Sequence, residues 1–281
     1  MHSILNEIAE RNSLKLIEFQ SLAGGDINAV YLLKCSEGNF VVKLNEAAKF
    51  PKMFQVEAKG LQLLEATNSF NIPKVLDLGE IKAQSYILLE FVEKGRKTPD
   101  FWSVFAENLA KMHKITQHDF GLSHSNYIGS LKQVNGFEET SAAFYIEQRL
   151  KPQFALASKN GFNFENLSSF FQNISDEIPN EAPSFIHGDL WNGNYLVSAT
   201  GNAVLIDPAV AYASREMDIA MMHLFGGFPP TVYSFYHEIF PLKSGWKQRI
   251  PIFQLYYLLV HLNLFGRGYL SQAKSIVASF S

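Results

Sequence analysis

The stretch FIHGDLWNGNYLV, residues 185–197, sets a histidine, an aspartate and two asparagines within eight residues, between two apolar runs. Turn-forming polar side chains at that density interrupt what would otherwise be core, and the sequence that follows explains them. YLV and AVLI read as two short strands with TGN as the turn between them. Asp189 and Asn194 then precede a hairpin and Asp207 ends it. A hairpin brings its ends together, so three oxygen-bearing side chains separated in sequence are gathered at one edge.

Carboxylate and amide oxygens are the hard ligands that magnesium prefers, and that ion commonly keeps several waters and shares its remaining positions with substrate phosphates. Asn194 and Asp207 are the expected metal pair. Asp189 is left to accept a hydrogen bond from an attacking hydroxyl and align it with phosphorus. In H-G-D-x-x-x-x-N, His187, Asp189 and Asn194 stand at the offsets of the protein-kinase catalytic loop H-R-D-x-x-x-x-N, and Asp207, thirteen residues further on, opens D-P-A. An aspartate or asparagine before a strand often makes only a turn, but the asparagine offset and the trailing aspartate together weigh against that reading.

Upstream residues bear on the same chemistry. GGDINAVYLL, residues 24–33, puts Gly24 and Gly25 at a strand turn, with Asn28 just after, where backbone amides can approach phosphate oxygens. Lys43 in the strand-like FVVKL and Glu57 on the next helix form the ion pair that kinases use to hold the α and β phosphates. Either charge alone would be an ordinary solvated residue; their order after the glycines gives them weight. YILLEFVEKG resembles a hinge, offering the Glu90 carbonyl and the Val92 amide to adenine with Phe91 between. No G-x-x-x-x-G-K-[ST] is present, which removes the P-loop route to ATP.

Around these motifs the chain divides. MHSILNEIAERNSLKLIEF reads as an amphipathic helix, AVYLLKC and NFVVKL as a hairpin, FQVEAKGLQLLEAT as a helix, and IPKVLDLGEI and SYILLEFVE as strands. EKGRKTPD, residues 93–100, has linker composition, and beyond it most segments outside the opening stretch are helical. The expected class is α+β and bilobal: a small antiparallel-sheet lobe over 1–92 that holds nucleotide, and a larger, mostly helical lobe over 93–281 that carries the catalytic loop, the metal pair and the acceptor pocket.

Composition bounds the alternatives. With 281 residues and 47 % hydrophobic content the chain can bury a sizeable core. A net charge of -3 offers no basic field for nucleic acid. The single cysteine, Cys35, excludes an internal disulfide and a thiolate zinc cluster. His113 and His118, five apart, miss the one-turn spacing of paired metal ligands. The N-terminal run is too charged for a signal-peptide core, and no stretch approaches the ~20 apolar residues of a membrane span. A soluble cytoplasmic protein that engages neither membrane nor nucleic acid is expected.

The assembled motifs resemble the fructosamine kinase (ketosamine 3-kinase) family, relatives of aminoglycoside phosphotransferases within the protein-kinase-like fold. The likeness runs through GGDIN, FGLSHSNYIG, FYIEQRL, HGDLWNGN, DPA, REMDIAMMHLFGGF and HLNLFG. Trp191 discriminates, because HGDLW followed by GN is more particular to this family than HGD. The resemblance implies ATP- and Mg2+-dependent phosphorylation of the 3-hydroxyl of a ketosamine, small or protein-bound, giving an unstable product that releases the free amine. It makes Asp189 the proton acceptor, Asn194 and Asp207 the magnesium ligands, and Lys43 with Glu57 the phosphate clamp. Trp191, Asn126 and Tyr127 are expected in the sugar pocket, although Tyr127 reads equally as a core aromatic. His187 and Asp218 are expected behind the loop, Asp218 holding its backbone or capping a helix. Ser141 stands near a family tryptophan, which would reshape the acceptor side. Tyr257 and Val260 replace a common histidine and asparagine, and Asp26 places a negative charge near the phosphates. The rival readings are a phosphotransferase for aminoglycoside, choline or homoserine, and a silent pseudokinase used as a binding module.

Overall fold

In the computed structural model, which describes residues 2–22 and 27–281, the opening amphipathic run is helical only over α1 (His2–Arg11), burying Leu5, Ile8 and Ala9. Ser13 turns the chain at a φ of 58°, and Leu16–Leu22 is strand β1 rather than more helix. The apolar positions of that segment fit either period; antiparallel pairing with the next strand decides between them. Strands β2 (Ala29–Cys35) and β3 (Gly38–Glu46), helix α2 (Met53–Ala66), and strands β4 (Val75–Ile81) and β5 (Gln84–Glu90) follow. The five strands form one antiparallel sheet in the order β1-β2-β3-β5-β4.

The period of two along a strand sorts the residues of β3 and β5 between two helices. Val42, Leu44 and Leu88 pack with Leu5 and Ile8 of α1, whereas Val41, Ile87 and Leu89 pack with Phe54, Ala58 and Leu61 of α2. Lys43 has the parity of Val41. Its side chain therefore falls on the α2 face, where Glu57 waits.

The rest of the chain is more than helices. After α3 (Phe101–His113) come a small hairpin, β6 (Asn126–Ile128) with β7 (Leu131–Gln133), and then α4 (Ser141–Ala143), which runs through a π-helical stretch, Phe144–Leu150, into α5 (Lys151–Lys159) and on to α6 (Leu167–Glu177). β8 (Ser184–Ile186) pairs with β11 (Ala211–Ala213), and between them lies the foreseen hairpin, β9 (Tyr195–Val197) with β10 (Ala203–Leu205). Helices α7 (Glu216–Leu224), α8 (Pro230–Ile239), α9 (Trp246–Phe265) and α10 (Leu270–Ser279) complete the fold. α9 is apolar nearly all round and forms the axis of the largest core, where Tyr256, Leu258 and Leu259 meet Phe144, Ile186 and Met221. Among the described residues no helix is long and apolar enough to cross a membrane.

One backbone bridge, Asn71 to Val204, ties the sheet region to the remainder, and a second, Lys94 to Ser198, pins the connecting segment beside it. A third contact is steric. At Gly60 of α2 a Cβ would come within 3.2 Å of the Pro208 ring, so the missing side chain lets the helix that carries Glu57 lie close against the D-P-A segment.

Candidate active site

β8 delivers the chain into the loop from His187 to Asn194, and the return segment after Asp207 lies beside it, with the Ala209 amide donating to the His187 carbonyl at 2.9 Å. The approach is so close that residue 188 has to be glycine: its φ is 82° and a Cβ there would sit 2.1 Å from the Ala209 oxygen. Asp218 holds the loop from below. Its carboxylate accepts the backbone amides of His187 and Gly188, each at 2.8 Å, and the His113 Nε2 hydrogen at 3.2 Å. It is the third residue of α7, whose N-cap is Arg215, so the capping reading gives way to the loop-holding one. Tyr257, where the family often has histidine, donates its hydroxyl to the Gly188 carbonyl at 3.0 Å.

His187 is fully buried and satisfied as a neutral ring, its Nε2 donating to the Ile206 carbonyl at 3.0 Å while Nδ1 accepts the Asp189 amide at 3.3 Å. Burial lowers its pKa against the pull of Asp218. His113 is likewise pushed down by burial, and accepts at Nδ1 from the Tyr236 hydroxyl at 2.8 Å. Both imidazoles are scaffolding. Sequence spacing tests His113 only as a metal ligand, because nothing local to its helix announces a partner 105 residues away.

Above the loop the charged groups converge. Lys43, 8 % exposed, bonds Glu57 at 2.7 Å and also contacts the Asp207 carboxylate. Burial opposes the Lys43 charge, but Asp207 and Glu57 outweigh it and hold the pKa above its ordinary value. Asn194 turns its Nδ2 to the Asp189 carbonyl at 2.8 Å and to Asp189 Oδ2 at 3.1 Å, which leaves its amide oxygen to face a cation. Burial, and then the charge of Asp207, push Asp189 up to about 7, partly countered by the Asn194 bond. Lys43 thus meets two carboxylates, those of Glu57 and Asp207, while Asp189 feels the charge of Asp207 without a cation of its own among the described residues. The donor set of Asp207 and Asn194 is hard oxygen, beside the carboxyl of Asp189, and it fits magnesium.

These residues lie in a cleft of about 520 Å³, within the range of small-molecule sites. Trp191 is 37 % exposed at its rim, with the Phe225 ring 6.3 Å away, His261 4.9 Å beyond that, and Tyr269 5.1 Å from His261. Phe225, His261 and Tyr269 also line the cleft, and sequence reasoning misses them. The family-like stretches REMDIAMMHLFGGF and HLNLFG contain Phe225 and His261 without marking either, and Tyr269 lies beyond both. Tyr127 lines the cleft and donates to the Pro51 carbonyl at 3.0 Å. Asn126 borders it too, but its Nδ2 is given to the Val210 carbonyl at 2.9 Å and its oxygen to Gln133 and Asn135.

Other expected residues are placed differently. Asn28 lines the cleft, its Oδ1 accepting from Asn45 at 3.1 Å. Gly24, Gly25 and Asp26 lie outside the described residues. Glu90, Phe91 and Val92 border a separate cavity with the α2–β4 connection and the β9–β10 turn. The Glu90 amide is spent on the Lys74 carbonyl at 2.9 Å, whereas the Val92 amide has no backbone partner among the described residues. Ser141 is buried in α4 and does not line the cleft, so the place of the family tryptophan is not on the acceptor wall.

The crystal structure of a Haemophilus somnus protein assigned as a fructosamine-3-kinase superposes on this chain with a TM-score of 0.90 and 30 % identity, covering 99 % of this chain and 96 % of that one. An aminoglycoside phosphotransferase superposes with a TM-score of 0.60 at 14 % identity over 100 % of this chain and 99 % of that one, a likeness of fold alone. Fold and site together define an ATP-dependent phosphotransferase of the protein-kinase-like type. The model of the fructosamine kinase family matches residues 2–280. A Synechocystis protein named probable ketoamine kinase is 39 % identical over 268 residues, 94 % of this chain and 90 % of its own, and the chloroplastic protein-ribulosamine 3-kinase of Arabidopsis thaliana is 32 % identical over 97 % of this chain and 85 % of its own. The chain belongs to the fructosamine kinase family.

Proposed function

We propose that the protein transfers the γ-phosphoryl group of ATP to the 3-hydroxyl of a ketosamine, and that the phosphorylated product then releases its amine. The carrying observation is the placement of Asp189 in the cleft floor, its carboxyl tied to Asn194 and close enough to Asp207 to feel its charge. Asp189 accepts the hydroxyl proton and aligns the oxygen with phosphorus. Lys43, steadied by Glu57, holds the α and β phosphates. Asn194 and Asp207 hold Mg2+, which when bound neutralises charge on the phosphates. Gly24, Gly25 and Asn28 are assigned to the phosphates, and the Glu90–Val92 backbone, which borders the second cavity, to adenine. Residues 1–92 act as the nucleotide lobe and 93–281 as the acceptor lobe, in the cytoplasm.

The acceptor wall favours a ketosamine over the other phosphotransferase substrates. Glu57, Asp189 and Asp207 are the only acids among the described residues that line the cleft, and all three are committed to the phosphoryl end. A polycationic aminoglycoside would need carboxylates further out, where Trp191, Phe225 and Tyr269 stand instead. Aromatic faces suit a chain that is apolar on one side and hydroxylated on the other.

A coupled ADP-release assay on a panel of acceptors tests the proposal. Ribulosamine, erythrulosamine and fructosamine should be turned over, with phosphate on the 3-oxygen, while aminoglycosides, choline and homoserine give background rates. Turnover confined to the second group would replace the substrate class, and no turnover with either would favour the pseudokinase. In the same assay Trp191→Ala should raise KM for the ketosamine about tenfold, an aromatic contact of roughly 1.4 kcal/mol, and leave KM for ATP within twofold. An unchanged acceptor KM would remove Trp191 from the pocket.

A further inference from the structure

A buried cation lies outside the cleft. Arg149, in the π-helical stretch, is 1 % exposed, and no carboxylate pairs with it among the described residues. Neutral groups hold it: Nη1 donates to the Val134 and Gln148 carbonyls at 2.8 and 3.1 Å, Nη2 to Asn135 Oδ1 at 2.7 Å, and the guanidinium lies 4.5 Å over the Phe144 ring. A guanidinium remains charged in such surroundings, and burying one without an acid is costly. A residue kept at that cost invites the question of what it orders.

Arginine can only donate and a backbone carbonyl can only accept, and these two ends set the direction of every side-chain amide that links them. Asn135 has to present its oxygen to Arg149, so its Nδ2 points to Asn126 Oδ1 at 3.0 Å and to the His124 carbonyl. Asn126, receiving at its oxygen, has to turn its own Nδ2 outward, and it meets the Val210 carbonyl at 2.9 Å. Gln133 runs in parallel: Nε2 donates to Asn126 Oδ1 at 2.8 Å and to the Ala209 carbonyl at 3.1 Å, while Oε1 accepts the Tyr256 hydroxyl at 2.6 Å. All three amide side chains are buried. In such a chain each bond polarises the next.

The relay ends on the two carbonyls that follow Asp207–Pro208. Asp207 itself has a φ of 54°, a left-handed conformation that a non-glycine residue holds only when its surroundings impose it. On the other side the segment is held by the bond from the Ala209 amide to His187. We infer that Arg149 is a positioning residue for Asp207: by fixing the amide orientations of Asn135, Asn126 and Gln133 it clamps residues 209–210 and keeps the Asp207 carboxylate at Lys43. The inference rests on reading Asp207 as a phosphoryl-site metal ligand. It also gives Asn126 a supporting role beneath the site in place of sugar contact.

Three variants test it: Arg149→Met, Arg149→Lys, and Tyr256→Phe, which removes a single hydroxyl and spares the fold. The first readout is metal-free amide hydrogen exchange over residues 207–211. The second is Mn2+ binding, followed by electron paramagnetic resonance with a non-hydrolysable ATP analogue. Arg149→Met should speed exchange across the segment and weaken Mn2+ binding about 10–100-fold, the usual loss when an outer-shell partner is removed. Arg149→Lys should recover most of this, and Tyr256→Phe should lose several-fold. Folded Arg149→Met with wild-type exchange and wild-type Mn2+ affinity would overturn the inference, and should that variant not fold, wild-type values in Tyr256→Phe would overturn it instead. Wild-type protein that takes up no Mn2+ with the nucleotide would overturn the magnesium reading, while the exchange data still judge the clamp.

Discussion

Asp189→Asn should lower kcat for ketosamine by about 10²–10⁴-fold, the usual worth of a positioned general base, and at the same time make the protein harder to melt. The first effect follows from geometry. An asparagine keeps the shape of the side chain and its bonding to Asn194, whose Nδ2 also grips the residue 189 backbone carbonyl at 2.8 Å, but it cannot take a proton. The second follows from charge. Burial and Asp207 raise the Asp189 pKa to about 7, above its unfolded value, so the ionised carboxylate works against folding. That cost is absent below about pH 4, grows as pH rises, and is fully present above pH 7, where the unfolded chain ionises freely and the folded one does so only against the field. Because the carboxyl opens onto the cleft, solvent tempers the shift, and the gain for asparagine at pH 8 should be roughly 1–2 kcal/mol. Thermal denaturation of nucleotide-free protein at pH 4 and pH 8, beside the ADP assay, separates the two effects. Near-normal turnover would dismiss Asp189 as the base; a melting temperature lower than wild type at pH 8 would dismiss the electrostatic account.

Glu216→Ala should be among the most damaging single changes to the fold. Glu216 opens α7 two residues before Asp218, and it is gripped side-on by Arg249 near the start of α9, through Nε at 2.9 Å and Nη2 at 2.6 Å. The two residues are 3 % and 5 % exposed. Removing one member of a buried pair strands the other charge, at a cost of about 3–5 kcal/mol. The Arg249 bond to the Ser244 carbonyl at 2.9 Å does not replace a carboxylate. For a chain of this size a fall in melting temperature of about 10 °C is expected. The double variant Glu216→Leu/Arg249→Met, which removes both charges, should recover much of it. A single variant that melts within about 2–3 °C of wild type would mean that water reaches the pair. Activity should fall further than stability accounts for, since α7 carries the carboxylate that holds the catalytic loop.

The parts of the fold and site that local pattern could reveal were legible in the sequence. The H-G-D-x-x-x-x-N offsets and the turn at TGN describe a hairpin whose ends meet, and the structure places Asp189 and Asn194 in contact with Asp207 close by. Lys43 and Glu57 could be paired because their order after the glycines follows the kinase arrangement; strand parity then sets Lys43 on the α2 face, where the two meet. Elsewhere the determining partner is distant. Residues 16–22 fit a helical or an extended period until β2 pairs with them. Asn126 reads as a sugar ligand because an exposed amide and a buried one are written identically, and only Asn135, Gln133 and Val210 say which it is. Arg149, a charge in a helical stretch, reads as solvated until Val134 and Asn135 enclose it. The hinge residues depend on backbone alone, to which side-chain identity gives little guide.

The aromatic wall of Phe225, His261 and Tyr269 is drawn from the ends of α7 and α9 and the turn beyond, whereas Asp218 and Tyr257, one or more helical turns back on the same two helices, brace the loop from His187 to Asn194. On the proposed reading these three rim positions lie apart in the chain from Asp189, Asn194 and Asp207, whereas Trp191 shares the loop with Asp189. Given the proposed acceptor wall, a lineage, or an engineer, can change which ketosamine fits by rewriting Phe225, His261 and Tyr269 while Asp218 and Tyr257 go on bracing the loop.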